Sequence, residues 1–241
     1  METSCLKNKN CLITGATGGI GKEVSIQLAD QSCNLFLTGR NKKKLESLKK
    51  LLIKNNPDIN IEYKEGDLTR LSDIKNIVTN AKHHFGNIDI LINCAGIFMI
   101  KSIRKSTVED FDKSINLNVR APFILSREFS KDMVSKKWGR IVLIGSSSSY
   151  SGFENGSVYC TSKHSILGLS RALNIELKKK NVRVMCISPS STKTNMGKIS
   201  VDQDFNTFLN PKEVAEYIIF ILSFDNEMSI DESRLNRMIM K

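Results

Sequence analysis

No apolar run in this chain approaches the roughly 20 residues that a helix needs to cross a bilayer. The longest, "RIVLIG" and "YIIFILSF", suit a buried strand and a core helix. There are only three histidines, two of them adjacent at 83–84, and no CxxC pair among the six cysteines. That pattern matches no metal-ligand spacing, so no metal is expected. The opening stretch "METSCLKNKN" has no apolar segment of secretory type. Cysteines 5, 11, 33, 94, 160 and 186 therefore read as reduced thiols, and a cytoplasmic location is expected. The net charge is +11, but no aromatics interleave with the basic runs "KKK" at 42–44 and 178–180. A stacking platform for single strands needs such interleaving. The charge is read as lysine spread over solvated helix faces, and no nucleic-acid or membrane partner is expected.

What the chain does have is alternation. Short runs rich in Ile, Val and Leu at 10–14, 33–38, 59–65, 88–93, 140–145 and 182–188 predict strands. Amphipathic stretches at 20–31, 42–55, 71–85, 157–179 and 211–223 predict helices between them. A long helix is expected over 107–135, bent or broken at Pro122, and a last edge strand within 228–238. The strand runs are continuously apolar, as when helices cover both faces of a parallel sheet. No repeat or linker divides the 241 residues. The fold class expected is α/β: one domain over 1–241, a Rossmann-like, doubly wound parallel sheet of about seven strands with helices on both faces.

Directly after the first strand comes "TGATGGIG" (14–21). Gly15, Gly19 and Gly21, with Thr17 and Ile20 between them, lie where a strand turns into a helix. Such a turn lets backbone approach a pyrophosphate held at the helix N-terminus, so a dinucleotide is expected there. The second strand ends "LTGRN" (37–41), with Arg40 and no acid. A guanidinium grips a 2′-phosphate where an acid would bind a ribose 2′-OH, so NADP(H) is expected ahead of NAD(H). After the third strand, in "GDL" (66–68), Asp67 beside Leu68 either accepts a hydrogen bond from an adenine amino group or starts the next turn. The fourth strand ends "NCAG", where Asn93, Ala95 and Gly96 either run along the cofactor or make a plain turn.

Three further features fall near the sheet's carboxyl edge. Ser146 lies in "GSSSS" after the fifth strand. Tyr159 and Lys163, in "YCTSK", are one helical turn apart on one face. Asn118 lies in "NLNVRAPF", shortly before Pro122. Each alone is weak.

Together these features resemble the short-chain dehydrogenase/reductase family. Its TGxxxGIG matches Thr14 to Gly21, and its NNAG matches "NCAG" with Cys94 in place of asparagine. Its YxxxK matches Tyr159 and Lys163, and its serine 13 residues earlier matches Ser146. Its catalytic asparagine falls on Asn118. Its PG-x-x-x-T segment resembles "PSSTKT", which keeps Pro189 and Thr194 and has Ser190 for glycine. The resemblance covers about residues 8–225 and implies an NADP(H)-dependent oxidoreductase acting on a carbonyl or secondary alcohol.

The implied roles are specific. Tyr159 serves as acid/base, Ser146 bonds the substrate oxygen, and Lys163 lowers the phenol's pKa and bonds the nicotinamide ribose. Asn118 holds a water linking Lys163 to solvent, and Thr194 holds the carboxamide. A free tyrosine has a pKa of about 10, and lowering it to about 7 takes roughly 4 kcal/mol. One ammonium at about 4 Å, with an effective dielectric of about 20, supplies that much.

Phe98, Met99, Tyr150, Phe153, Met196, Phe205 and Phe208 are expected to wall an apolar substrate pocket. Residues 190–210 are expected to form a lid over it. Family members pair their long helices, so a homodimer or homotetramer is expected. An alternative is a 3-oxoacyl-[acyl-carrier-protein] reductase; its acidic carrier suits the charge, but the ending "EMSIDESRLNRMIMK" lacks the family's usual glycine-rich close. A reading from another class is a dinucleotide-binding regulator without turnover, which would not need all four of Asn118, Ser146, Tyr159 and Lys163.

Overall fold

The computed structural model describes residues 5–200 and 202–238. Seven parallel strands form one sheet in the order β3-β2-β1-β4-β5-β6-β7. They are β1 (Asn10–Thr14), β2 (Asn34–Gly39), β3 (Ile61–Glu65), β4 (Ile90–Asn93), β5 (Gly139–Ile144), β6 (Val182–Pro189) and β7 (Glu232–Leu235). The crossover helices are α1 (Gly19–Asp30), α2 (Lys42–Asn55), α3 (Leu71–Phe85), α4 (Val108–Ile115), α5 (Ala121–Lys136), α6 (Ser157–Leu177) and α7 (Pro211–Leu222). No helix among the described residues is long and apolar enough to cross a membrane.

Period-2 geometry explains why the strands are apolar throughout. Successive side chains point to opposite faces, and each face has its own core. Cys11 and Ile13 of β1, Leu35 and Leu37 of β2, and Ile90 and Ile92 of β4 pack under α1, α2 and α7. Leu12, Phe36 and Leu91, from between them, pack under α3, α5 and α6. A polar residue at any of these positions would sit in one core or the other.

The expected break near Pro122 is present but lies upstream of the proline. Residues Asn116–Arg120 form a wide π turn between α4 and α5, and Ala121 N–H donates to the Asn116 carbonyl. Pro122 then sits in the first turn of α5 and, having no N–H, makes no bond back into the π turn. The π turn matters because Asn118 is inside it, and single π turns often mark functional sites.

The chain winds one way from β1 to β3 and the other way from β4 to β7. The reversal falls between β1 and β4, which are direct neighbours. Loops leaving these two strands diverge there and open a crevice at the carboxyl edge of the sheet.

Candidate active site

The glycine turn follows β1 into that crevice. Gly15 has φ +64, and a Cβ there would lie 2.9 Å from the backbone of Ala95. Gly21 leaves no room either: its Cβ would meet the Gly15 carbonyl oxygen at 2.3 Å. Glycine is required at both, because the turn closes on itself and on the loop after β4. Helix α1 starts with no side-chain cap and no acid in its first turn. Its leading N–H groups therefore remain available to an anion.

Thr14 ties the two loops together. Its hydroxyl oxygen accepts from Cys94 N–H and Ala95 N–H, each at 3.0 Å. Thr14 is 1% exposed, so a Thr14→Val variant leaves the Ala95 N–H without a partner, while the Cys94 N–H keeps the Ile92 carbonyl at 3.1 Å. Unmet buried donors cost about 1–3 kcal/mol each. We expect Thr14→Val to lower unfolding free energy by roughly 2 kcal/mol in a urea titration, with weaker cofactor binding.

A cavity of about 630 Å³ runs along the carboxyl edge. Gly15, Thr17, Gly19, Ile20, Gly21, Arg40, Asp67, Leu68, Ala95, Gly96, Ser146, Tyr159, Lys163, Pro189 and Thr194 all line it. Arg40 is exposed there. Asp67 also starts the next turn, accepting from Thr69 N–H at 3.0 Å and Thr69 Oγ1 at 2.9 Å. Burial alone would raise its pKa, but those bonds and the charges of Arg40 and Arg70 bring it below the usual carboxylate range. Thr194 lies beside Gly19, and its Oγ1 accepts from Gly197 N–H at 3.0 Å.

Two expected residues lie behind the wall. Asn93 is the last residue of β4, is 4% exposed, and its side-chain oxygen and nitrogen have no partner. Asn118 is 3% exposed and acts as a clamp. Its Oδ1 accepts from Ile97 N–H at 2.9 Å, and its Nδ2 donates to Ile97 O at 3.0 Å and to Ser162 Oγ at 2.9 Å. With its side-chain polar atoms so engaged, Asn118 pins the loop after β4 to α6.

At the reacting end, Lys163 Nζ donates to the carbonyl of Ile144 at 2.8 Å and lies 5.7 Å from the centre of the Tyr159 ring. Burial pushes Lys163 down to about 8, with the Cys186 and Cys94 thiols opposing. Burial likewise pushes the Tyr159 phenol up to about 12, against a lowering hydrogen bond with Ser146. Burial thus dominates both groups in this geometry. The ammonium is committed to Ile144, and both groups are almost out of water. Ser146 is placed by its own turn, its Oγ accepting from Ser148 N–H at 3.1 Å and its N–H donating to Ser149 Oγ at 3.1 Å.

Phe98 and Phe153 flank the phenol, with ring centres 4.7 Å and 6.5 Å from that of Tyr159. These two and Met196 line the cavity, as expected, together with Ile100. The other expected walls are not among its lining residues. Tyr150 turns its hydroxyl to Glu232 at 3.1 Å, and Phe208 is 3% exposed beneath the loop and packs against Phe205. Met99 does not line the cavity either. Apolar character alone did not separate walls from supports.

The short chain dehydrogenase family pattern matches residues 9–204. The chain belongs to that family. An uncharacterized oxidoreductase of Staphylococcus saprophyticus is 30% identical over 229 residues, covering 94% of this chain and 96% of the relative. A 3-oxoacyl-[acyl-carrier-protein] reductase of Rickettsia conorii is 32% identical over 227 residues, covering 90% of each. Among solved structures, a short-chain dehydrogenase from Sphingobium yanoikuyae in complex with NADPH superposes with a TM-score of 0.83 at 27% identity, covering 95% of this chain and 87% of that one.

Several functional contacts of this short chain dehydrogenase had no signal in the sequence. The Ile144 carbonyl that receives Lys163 and the Ile97 backbone that receives Asn118 are main-chain groups that any residue carries. Ser162 stands next to Lys163, but nothing in a helical serine announces that it meets Asn118 across 44 residues.

Proposed function

We propose that the protein is an NADP(H)-dependent oxidoreductase that moves a hydride between the nicotinamide and a carbonyl or secondary alcohol. The observation carrying this reading is a single one. Ser146, Tyr159 and Lys163 line the same cavity as the glycine turn and Arg40.

The residues present fit the cofactor. An uncapped α1 suits a pyrophosphate, Arg40 suits a 2′-phosphate, and Asp67 and Leu68 suit an adenine. Asn93 and Ala95 to Gly96 support the backbone beside it, and Pro189 and Thr194 suit the nicotinamide end. When bound, NADP(H) supplies the hydride and, in its oxidised form, a positive charge on the ring.

The chain supplies the rest. Ser146 holds the substrate oxygen and stabilises charge developing on it. Tyr159 passes its phenolic proton to that oxygen in reduction and removes it in oxidation. A buried phenol is held in the protonated form that reduction requires. Lys163 holds the region after β5 through Ile144 and offers its ammonium near the phenol. Residues 190–210 serve as the lid, of which Val201 lies outside the described residues. Exposed Phe111, Phe123 and Ile175 on α4, α5 and α6 support pairing of these helices in a homodimer or homotetramer.

A second reading, a 3-oxoacyl-[acyl-carrier-protein] reductase, is favoured by the Rickettsia relative. Against it, Glu154 and Asp202 line the mouth, and an acidic carrier's arm would meet them.

Fluorescence titration with NADPH and NADH tests the cofactor. Charge-assisted bonds to phosphate are worth about 1.5–3 kcal/mol. Arg40→Ala is therefore expected to weaken NADPH binding roughly 20-fold and leave NADH nearly unchanged. Equal binding of both cofactors by the wild type would remove the NADP(H) assignment.

A further inference from the structure

Gln203 lines the cavity from the lid side. Its side-chain oxygen accepts twice, from Ser191 Oγ–H at 2.9 Å and from Arg237 Nη2–H at 2.9 Å. A guanidinium has five donors and no acceptor, so the amide oxygen and not its nitrogen must face Arg237. The usual ambiguity of an amide flip is settled by that partner. With both lone pairs filled, Gln203, an exposed residue at the cavity's edge, keeps its NH2 end for a further acceptor. Among the described residues it donates to no protein acceptor.

Arg237 is itself well seated. Its Nη1 donates to Thr207 Oγ1 at 3.1 Å, and its guanidinium stacks 5.1 Å from the ring centre of Phe208. It therefore braces both ends of the 203–208 stretch. Arg237 belongs to the terminal stretch that departs from the family's usual glycine-rich close.

We propose that Gln203 is a specificity-determining residue and that Arg237 is the residue that positions it. The substrate class that fits is a carbonyl compound with a second, neutral oxygen acceptor, such as an ester, amide or hydroxyl oxygen. The second oxygen is neutral because Glu154 and Asp202 line the same mouth and would repel a carboxylate. This deepens the oxidoreductase reading above and rests on it for the identity of the cavity.

The test compares a β-keto ester with a simple ketone matched in length, with NADPH, in wild type, Gln203→Leu, Arg237→Ala and Arg237→Lys. Calorimetry measures binding of both ketones to the NADP+-loaded protein. A hydrogen bond lost from a neutral acceptor is worth about tenfold in affinity. Gln203→Leu is expected to cut kcat/KM for the keto ester about tenfold more than for the ketone, through KM. Arg237→Ala should move the same ratio in the same direction, and Arg237→Lys should restore part of it. Equal losses on both ketones, or no loss on either, overturns the Gln203 assignment and leaves the oxidoreductase reading intact. Binding that depends on Gln203 without any turnover overturns the oxidoreductase reading and supports the assignment. Absence of both binding and turnover overturns both.

Discussion

Tyr159→Phe is expected to lose roughly a thousandfold in turnover while NADPH binding stays within about twofold of wild type. The substitution removes one oxygen, and with it the only proton the site offers at that position. General acid–base catalysis by a placed side chain is worth about 10²–10⁴-fold. The ring itself stays, so its packing against Phe98 and Phe153 and the cavity's shape are retained. Steady-state reduction and fluorescence titration on the same preparation check both halves. If the wild type binds NADPH but turns over no carbonyl or alcohol in a broad screen, the non-catalytic regulator reading stands instead.

The pH dependence follows from the same groups. Reduction needs the protonated phenol, so its rate should fall as pH rises through the phenol's pKa in the complex, and oxidation should rise. Burial pushes the phenol up to about 12 and Lys163 down to about 8. Above about pH 8 the ammonium beside the phenol is progressively lost. A pH–rate inflection well below 12 in the wild type, moved upward in Lys163→Met, would show that bound cofactor and lysine together lower the phenol. An inflection that ignores the Lys163 substitution would make the lysine a structural tie to Ile144 and nothing more.

Asn118→Leu is the second large effect. Leucine keeps the volume but strands the Ile97 N–H and the Ile97 carbonyl, while the Ser162 hydroxyl loses a donor and keeps its own bond to the Tyr159 carbonyl. Buried groups left unmet cost about 1–3 kcal/mol each. The loop Asn93–Phe98 can recover part of this by moving toward water. Movement there displaces Gly96, where an added Cβ would lie 4.0 Å from Lys163 Nζ. We expect about 3 kcal/mol less stability and a fall in kcat/KM of more than a hundredfold. Asn118→Asp separates the two halves of the clamp: it keeps the acceptor for Ile97 N–H and removes both donated bonds. Denaturant unfolding and kinetics on both variants check this. Full activity in Asn118→Leu would show that the loop is held by its other contacts, above all those of Thr14.

The sheet and its order of elements were legible because each strand must be apolar on two faces and each helix on one. That periodicity is local and survives in the linear chain. The glycine turn and "YCTSK" were legible for a similar reason, since a tight strand-to-helix turn and a pair one helical turn apart are short-range geometries. Arg40 could be read from position, as the residue standing where an acid would otherwise be. Tertiary structure alone decided three things. It placed Asn118 behind the wall as a clamp, because a π turn rotates it toward the Ile97 backbone. It gave Lys163 to a carbonyl and kept the phenol high, because burial acts on groups brought together by the fold and not by spacing. It sorted Phe98 and Phe153 into the cavity and Tyr150 and Phe208 out of it, because which side of a loop a ring occupies depends on contacts as remote as Glu232 and Arg237. Chemistry carried by residue type and short spacing was written in the sequence. Chemistry carried by main-chain groups, solvent exclusion and long-range contacts existed only once the chain had folded.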